Sequence, residues 1–235
     1  RMALRHAARP MSFRDATIPQ DWPRLATWLD AAGHRLDLGT PPRQFAGGLA
    51  NLNYLVTLDG APAVLRRPPP GPAAEGANDM AREWRVLSRL NAGYPLAPRG
   101  IAFCEDASVL GAPFQLIEYR PGIAIGGSLP AELPNDAPAR LTSALIAAMA
   151  ALHGLDPASV GLEGLGKPTG FLGRQVEGWA RRAAAVWPDG DAPASVARIT
   201  AWLRLQRAAA GPSGRSQSDF KYDNMLVDPA TLEAP

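Results

Sequence analysis

This chain passes from a strand-rich part to a helix-rich part near residue 120, and that shift limits the fold more than any other feature. Before it, apolar residues come in short alternating runs separated by turn signals. Tyr54-Leu55-Val56-Thr57-Leu58 and Ala63-Val64-Leu65-Arg66-Arg67 flank Asp59-Gly60, a dipeptide suited to a tight hairpin. Gly100-Ile101-Ala102-Phe103-Cys104 and Phe114-Gln115-Leu116-Ile117-Glu118-Tyr119 read as two further strands. Two helices accompany them. One carries Trp22, Leu25, Trp28 and Leu29. The other carries Met80, Trp84, Leu87 and Leu90, with Asn78 or Asp79 as its cap. After Arg120-Pro121-Gly122, which reads as a linker, the period is helical. Leu141, Leu145, Ala148 and Leu152 share one face over residues 137–153, and helices are expected near 171–186 and 194–209. Strands first and helices second make an α+β arrangement. The expected division is a leader and helix over 1–37, a small lobe over 38–120 and part of a helical lobe over 121–235. Residues before Met11 are expected to be a disordered leader.

Composition narrows the function classes. With 46% apolar and 20% charged residues the chain is globular. Lys and Arg exceed Asp and Glu by only two, and the arginines are scattered. Without zinc-finger spacing, a basic helix or an aromatic platform, nucleic-acid binding is not expected. No run of 18 apolar residues occurs, so no membrane-spanning helix is expected. The lone Cys104 rules out an internal disulfide framework and fits a reducing, cytoplasmic setting, where it reads as a small buried apolar residue. His6, His34 and His153 do not fall at metal-ligand spacing, and no Gly-x-Ser-x-Gly elbow is present.

The chemistry-bearing stretch is Gln217-Ser218-Asp219-Phe220-Lys221-Tyr222-Asp223-Asn224-Met225-Leu226-Val227. An Asp followed five positions later by Asn has the spacing of a kinase-like catalytic loop. There the carboxylate orients a hydroxyl and the amide oxygen holds magnesium. The same pattern also arises as a plain Asp/Asn turn before a strand. Gly47-Gly48-Leu49-Ala50-Asn51 lies between two expected strands and would let backbone amides approach phosphates; alone, it is a tight turn. No Gly-Lys-Ser/Thr follows it, so it is not a Walker motif. Arg66, on the strand after the hairpin, can reach phosphates, and Glu83 on the next helix can pair with it. The plain alternative for both is a solvent salt bridge.

Taken in order, these pieces resemble the aminoglycoside phosphotransferase family and its choline-kinase-like relatives. They look closest to the branch found in bacteria and fused to acyl-CoA dehydrogenases in animals. The resemblance rests on Gly47–Val56, Val64-Leu65-Arg66-Arg67-Pro68-Pro69-Pro70-Gly71, Arg82–Leu87, Leu152-His153-Gly154-Leu155-Asp156-Pro157 and Asp219–Asn224. It implies a protein-kinase-like bilobal α+β fold, with ATP and Mg2+ as cofactors and a small-molecule hydroxyl as acceptor. It also implies a nucleotide loop at Gly47, Gly48 and Asn51, a phosphate contact at Arg66 and a helix carboxylate at Glu83. The adenine-facing hinge falls near Glu118 and Tyr119, the catalytic Asp at Asp219 and the magnesium-binding Asn at Asn224.

Two departures qualify the resemblance. Gln217 stands where the family has a His that braces the loop. The sequence also stops seven residues after Asp228, before the strand that carries the family's second metal-binding Asp and before its last helices. Asp228 itself reads as the turn residue before Pro229. The expected helical lobe is therefore incomplete, with an exposed apolar side that would favour homo-oligomers. An inactive nucleotide-binding or interaction protein, and a fragment without function of its own, stay open beside the enzyme reading.

Overall fold

The computed structural model describes residues 9–10, 12–46, 51–71, 79–125, 129, 133–166, 169–187, 190–206 and 220–234. The chain divides into two compact units: Arg1–Leu162 with Ser216–Pro235, and Glu163–Arg215.

The first unit is built on a five-stranded antiparallel sheet of order β2-β3-β4-β6-β5. Its strands are β2 (Arg43–Gln44), β3 (Leu52–Leu58), β4 (Ala61–Arg67), β5 (Gly100–Cys104) and β6 (Phe114–Glu118). The β3–β4 hairpin closes on Asp59 and Gly60, with φ of 53° and 79°. Both values lie in the left-handed region, as a two-residue hairpin of this hand requires. The turn is also tied from outside. The Asp59 carboxylate accepts from the Arg35 amide at 2.7 Å and lies 2.8 Å from His34 Nδ1. That amide bond first, and His34 second, hold the Asp59 carboxyl below the usual range.

The turn sets the register: Tyr54 faces Leu65, Val56 faces Ala63 and Asn53 faces Arg66. Because strand side chains alternate, one face collects Tyr54, Val56, Ala63 and Leu65. Joined by Phe114 and Leu116, that face buries against α1 (Trp22–Ala31) and α3 (Ala107–Leu110). Helix α1 starts where Asp21 accepts from the Arg24 amide at 3.0 Å, and it buries Leu25 and Leu29 completely. Trp22 and Trp28 meet Tyr54 and Phe114 edge-on at 5.3 and 5.2 Å. The other face receives α2 (Met80–Leu90), capped by Asp79, with Trp84 stacked on Phe103 at 5.7 Å. That packing needs Gly100, where a Cβ would come within 2.5 Å of Trp84 and 3.1 Å of the Ser88 backbone.

A second sheet, of order β1-β7-β8, joins β1 (Arg9–Pro10), β7 (Ile123–Ala124) and β8 (Leu226–Val227). This corrects the expectation of a wholly disordered leader before Met11. Arg9 and Pro10 pair with Ala124 and Ile123, a non-local contact that a two-residue strand does not announce in its own sequence. Ile125, Leu141 and Ala137 of α4 (Ala137–Gly154), Val227 and Leu232 form a small core beside this sheet. Leu232 is brought in by Asp228, whose carboxylate accepts from the Ala230 and Thr231 amides at 2.8 and 3.0 Å. Tyr94, after α2, is buried and donates to the Ala148 carbonyl of α4 at 3.0 Å.

The second unit contains α5 (Phe171–Val186) and α6 (Ala194–Leu205), linked by Arg204 to Glu177 at 2.7 Å. The helices expected at 171–186 and 194–209 are present; the second is shorter than expected and ends at Leu205, with Gln206 as its C-cap.

Candidate active site

The register built by the Asp59-Gly60 turn places a polar row across the sheet. Asn53 on β3 is opposite Arg66 on β4, and Arg66 is opposite Gln115 on β6. All three are on the face that receives α2, since their neighbours Tyr54, Leu65 and Leu116 fill the other one. Glu83, in the first turn of α2, closes the row. Its Oε1 lies 2.5 Å from Arg66 Nε and accepts from Gln115 Nε2 at 2.7 Å. Arg66 Nη1 donates to Asn53 Oδ1 at 3.2 Å. The pair is roughly three-quarters buried, with side-chain exposures of 29% and 27%, so it is shielded more than a surface ion pair but remains reachable. Sequence reasoning named Arg66 and Glu83. It assigned no role to Asn53 or to Gln115, which is fully buried.

Asn51, also buried, precedes β3. Gly47 and Gly48 of the expected nucleotide loop lie outside the described residues, as does Asp219. Glu118 and Tyr119 lie where β6 runs out towards β7. The Glu118 carboxylate accepts from the Arg99 amide at 3.0 Å and from Arg120 Nη2 at 3.1 Å. Burial pushes the Glu118 pKa up, but the Arg99 amide and the Arg120 guanidinium outweigh it and the net direction is down. Arg120 also donates to the Pro95 carbonyl at 3.0 Å, which fixes this corner to the loop after α2.

Asn224 is exposed at the end of a 3-10 turn, Tyr222–Asn224, that leads into β8. The turn is anchored by Tyr222, whose ring packs on the Leu141–Val227 core and whose hydroxyl lies 2.9 Å from Thr142 Oγ1. Tyr222 carried no role in the sequence reading; its partner is 80 positions away. Among the described residues, no three His, Cys, Asp or Glu side chains converge as a metal site. The donor present, the amide oxygen of Asn224, suits a hard cation such as Mg2+ and would be one ligand of several.

The model of the phosphotransferase enzyme family (APH) matches residues 42–234, most of the chain. The chain belongs to that family. Among curated proteins, acyl-CoA dehydrogenase family member 10 of Mus musculus is 32% identical over 192 residues, which is 81% of this chain and 18% of that protein. Acyl-CoA dehydrogenase family member 11 of Gallus gallus is 31% identical over 194 residues, 80% of this chain and 24% of that one. This chain thus spans about a quarter or less of the length of these relatives. Among solved structures, a Ralstonia eutropha protein provisionally assigned as an aminoglycoside phosphotransferase superposes with TM-score 0.71 at 23% identity. That match covers 92% of this chain and 63% of the other. Macrolide 2'-phosphotransferase MphH from Brachybacterium faecium matches with TM-score 0.57 at 20% identity, over 88% of this chain and 68% of that one. The family's fold is α+β and bilobal, of the kinase-like kind, and this chain has it. Among the described residues, no helix is long and apolar enough to cross a membrane.

Proposed function

We propose that this chain carries the nucleotide-binding and part of the catalytic apparatus of an ATP-dependent phosphotransferase acting on a hydroxyl of a small molecule. The observation that carries this reading is the Arg66–Glu83 ion pair between β4 and α2, held on one side by Asn53 and on the other by Gln115. A cation fixed from two sides keeps its direction and loses little entropy when a phosphate arrives. Arg66 holds the donor phosphates and Glu83 positions Arg66. An Arg here, with its planar fork, grips two phosphate oxygens where a Lys would act as a point charge. Gly47, Gly48 and Asn51 cover the phosphates, and the Glu118–Tyr119 corner faces the adenine. Asn224 would be one of the ligands of Mg2+, and the ion would supply neutralisation of charge on the phosphate oxygens. Asp219 orients the acceptor hydroxyl and receives its proton as the oxygen bonds to the γ-phosphorus and the β–γ bridging bond breaks.

The acceptor is a finer question. Relatives named as acyl-CoA dehydrogenase family members favour a hydroxylated acyl or acyl-CoA acceptor. The fold neighbours named as macrolide and aminoglycoside phosphotransferases keep polyhydroxylated acceptors in view. A second reading, nucleotide binding without turnover, draws on Gln217 in place of the family's bracing His.

Calorimetric titration with a non-hydrolysable ATP analogue, with and without Mg2+, tests the proposal. Expected is binding that Mg2+ strengthens, that Asn224→Ala makes insensitive to Mg2+, and that Arg66→Ala weakens about tenfold or more. A folded sample that binds no analogue overturns it. Binding without transfer to any hydroxylated acceptor supports the second reading.

A further inference from the structure

Arg67 follows Arg66 on β4, so its side chain leaves the opposite face of the sheet, towards α1 and α3. There it is buried, at 6% exposure. Its polar partners are all neutral. Nε donates to the Pro68 carbonyl at 3.0 Å, and Nη1 donates to Gln20 Oε1 and to the Leu110 carbonyl, both at 2.5 Å. Among the described residues no carboxylate pairs with it. Burial lowers its pKa, and Tyr54, which opposes that effect, is itself pushed up by burial and stays a neutral phenol. Nη2 has no hydrogen-bond partner among the described residues and lies 4.0 Å from the position a Gly111 Cβ would take. A guanidinium desolvated this far without an anion is costly to the fold.

Beside it is an open cleft of about 830 Å³. Arg67 and Gly111 line it, with the exposed Arg24 as a second cation. Asp21 is the one carboxylate in the lining, and it caps α1 by accepting from the Arg24 amide. Pro68, Pro69 and Pro70 supply a stiff apolar part of the lining, to which Val109 and Leu110 also contribute. Two guanidiniums against one carboxylate, over apolar walls, is the lining of a site for an amphipathic anion.

We propose that this cleft binds a small organic anion, its phosphate or carboxylate head on Arg67 and Arg24 and its apolar body along Pro68–Pro70. The site does not rest on the phosphotransferase reading, because it uses the other face of the sheet from the Arg66–Glu83 pair.

The test titrates hexyl phosphate, hexanoate and neutral hexan-1-ol into the full chain, each with and without saturating non-hydrolysable ATP analogue. Binding is read by calorimetry and by the arginine Nε–Hε resonances. The Arg67 signal is assigned by its loss in Arg67→Lys. Expected is binding of at least one anion, with the Arg67 resonance shifting and with hexan-1-ol about tenfold to a hundredfold weaker. The tighter anion names the natural head group. Arg24→Gln, at an exposed position outside the core, is expected to weaken the anion severalfold while the protein stays folded. This keeps the test decisive if Arg67 variants fail to fold. Hexan-1-ol binding as tightly as the anions, an unmoved Arg67 resonance, or competition by the ATP analogue at equal occupancy overturns the proposal. The last outcome would assign the anion to Arg66.

Discussion

Glu118 shows how a single carboxylate ties local geometry to pH. Its pKa lies below the ordinary value of 4.5, because the Arg99 amide and Arg120 favour the charged form more than burial disfavours it. A group depressed in the folded state contributes stability that is fully present above its unfolded pKa. That contribution is lost as the pH falls through the folded value. Glu118→Gln is therefore expected to lower Tm at neutral pH and to flatten the acid limb of the Tm profile as the pH falls through and below the ordinary carboxyl value of 4.5. Parallel curves for wild type and variant would refute this. The site is unevenly legible at this scale. Counting outward from Asp59-Gly60 pairs 58 with 61 and so 53 with 66, so the Asn53–Arg66 contact was recoverable from the hairpin signal alone. Gln115 was not, because β4 and β6 are brought together by the whole sheet and no local pattern announces it. Arg67 read only as the end of a strand, and its lack of an anion is visible only once Gln20 and Leu110 stand beside it.

At the scale of elements, α2 is the part whose placement matters most, since Glu83 rides on it. Its approach to the sheet depends on the missing side chain at Gly100. Gly100→Val is expected to push α2 outward and to cost about 1–3 kcal/mol of stability, as overpacking does. It should also weaken nucleotide binding by moving Glu83 off Arg66. Denaturant unfolding and analogue titration check the two effects together, and nucleotide affinity unchanged in a destabilised variant would separate α2 placement from Arg66 orientation. Elements with long periods or strong caps were readable: the β3–β4 hairpin, α2 after Asp79, α4, α5 and α6. The four-residue α3 has no helical signature of its own, because Ala107–Leu110 is too short to display a period. Its ends were nevertheless written in the sequence. Asp106 caps the start, accepting from the Ser108 amide at 2.7 Å, and Gly111 takes φ of 82° at the close. The short β1 and β7 had no such marks: β1 is held by β7 alone, and β7 by β1 and β8 together.

For the molecule as a whole, the unit Glu163–Arg215 raises the question of association. Trp179 and Trp202 are exposed at 65% and 58%, and Val186 and Leu205 at 67% and 83%. Large apolar side chains left in water on one helical pair favour self-association. Sedimentation velocity is expected to show oligomers that grow with concentration and that Trp179→Glu with Trp202→Glu reduces. A concentration-independent monomer would remove the expectation. The tandem Arg66-Arg67 has a different reach. The two guanidiniums hang from neighbouring Cα atoms about 3.8 Å apart, one on each side of a single strand, so the peptide between them is common to both environments. Displacing that peptide for one occupant displaces it for the other. Thermodynamic linkage then fixes the form of any cross-talk. Whatever factor an anion on Arg67 imposes on nucleotide affinity, the nucleotide must return to the anion unchanged.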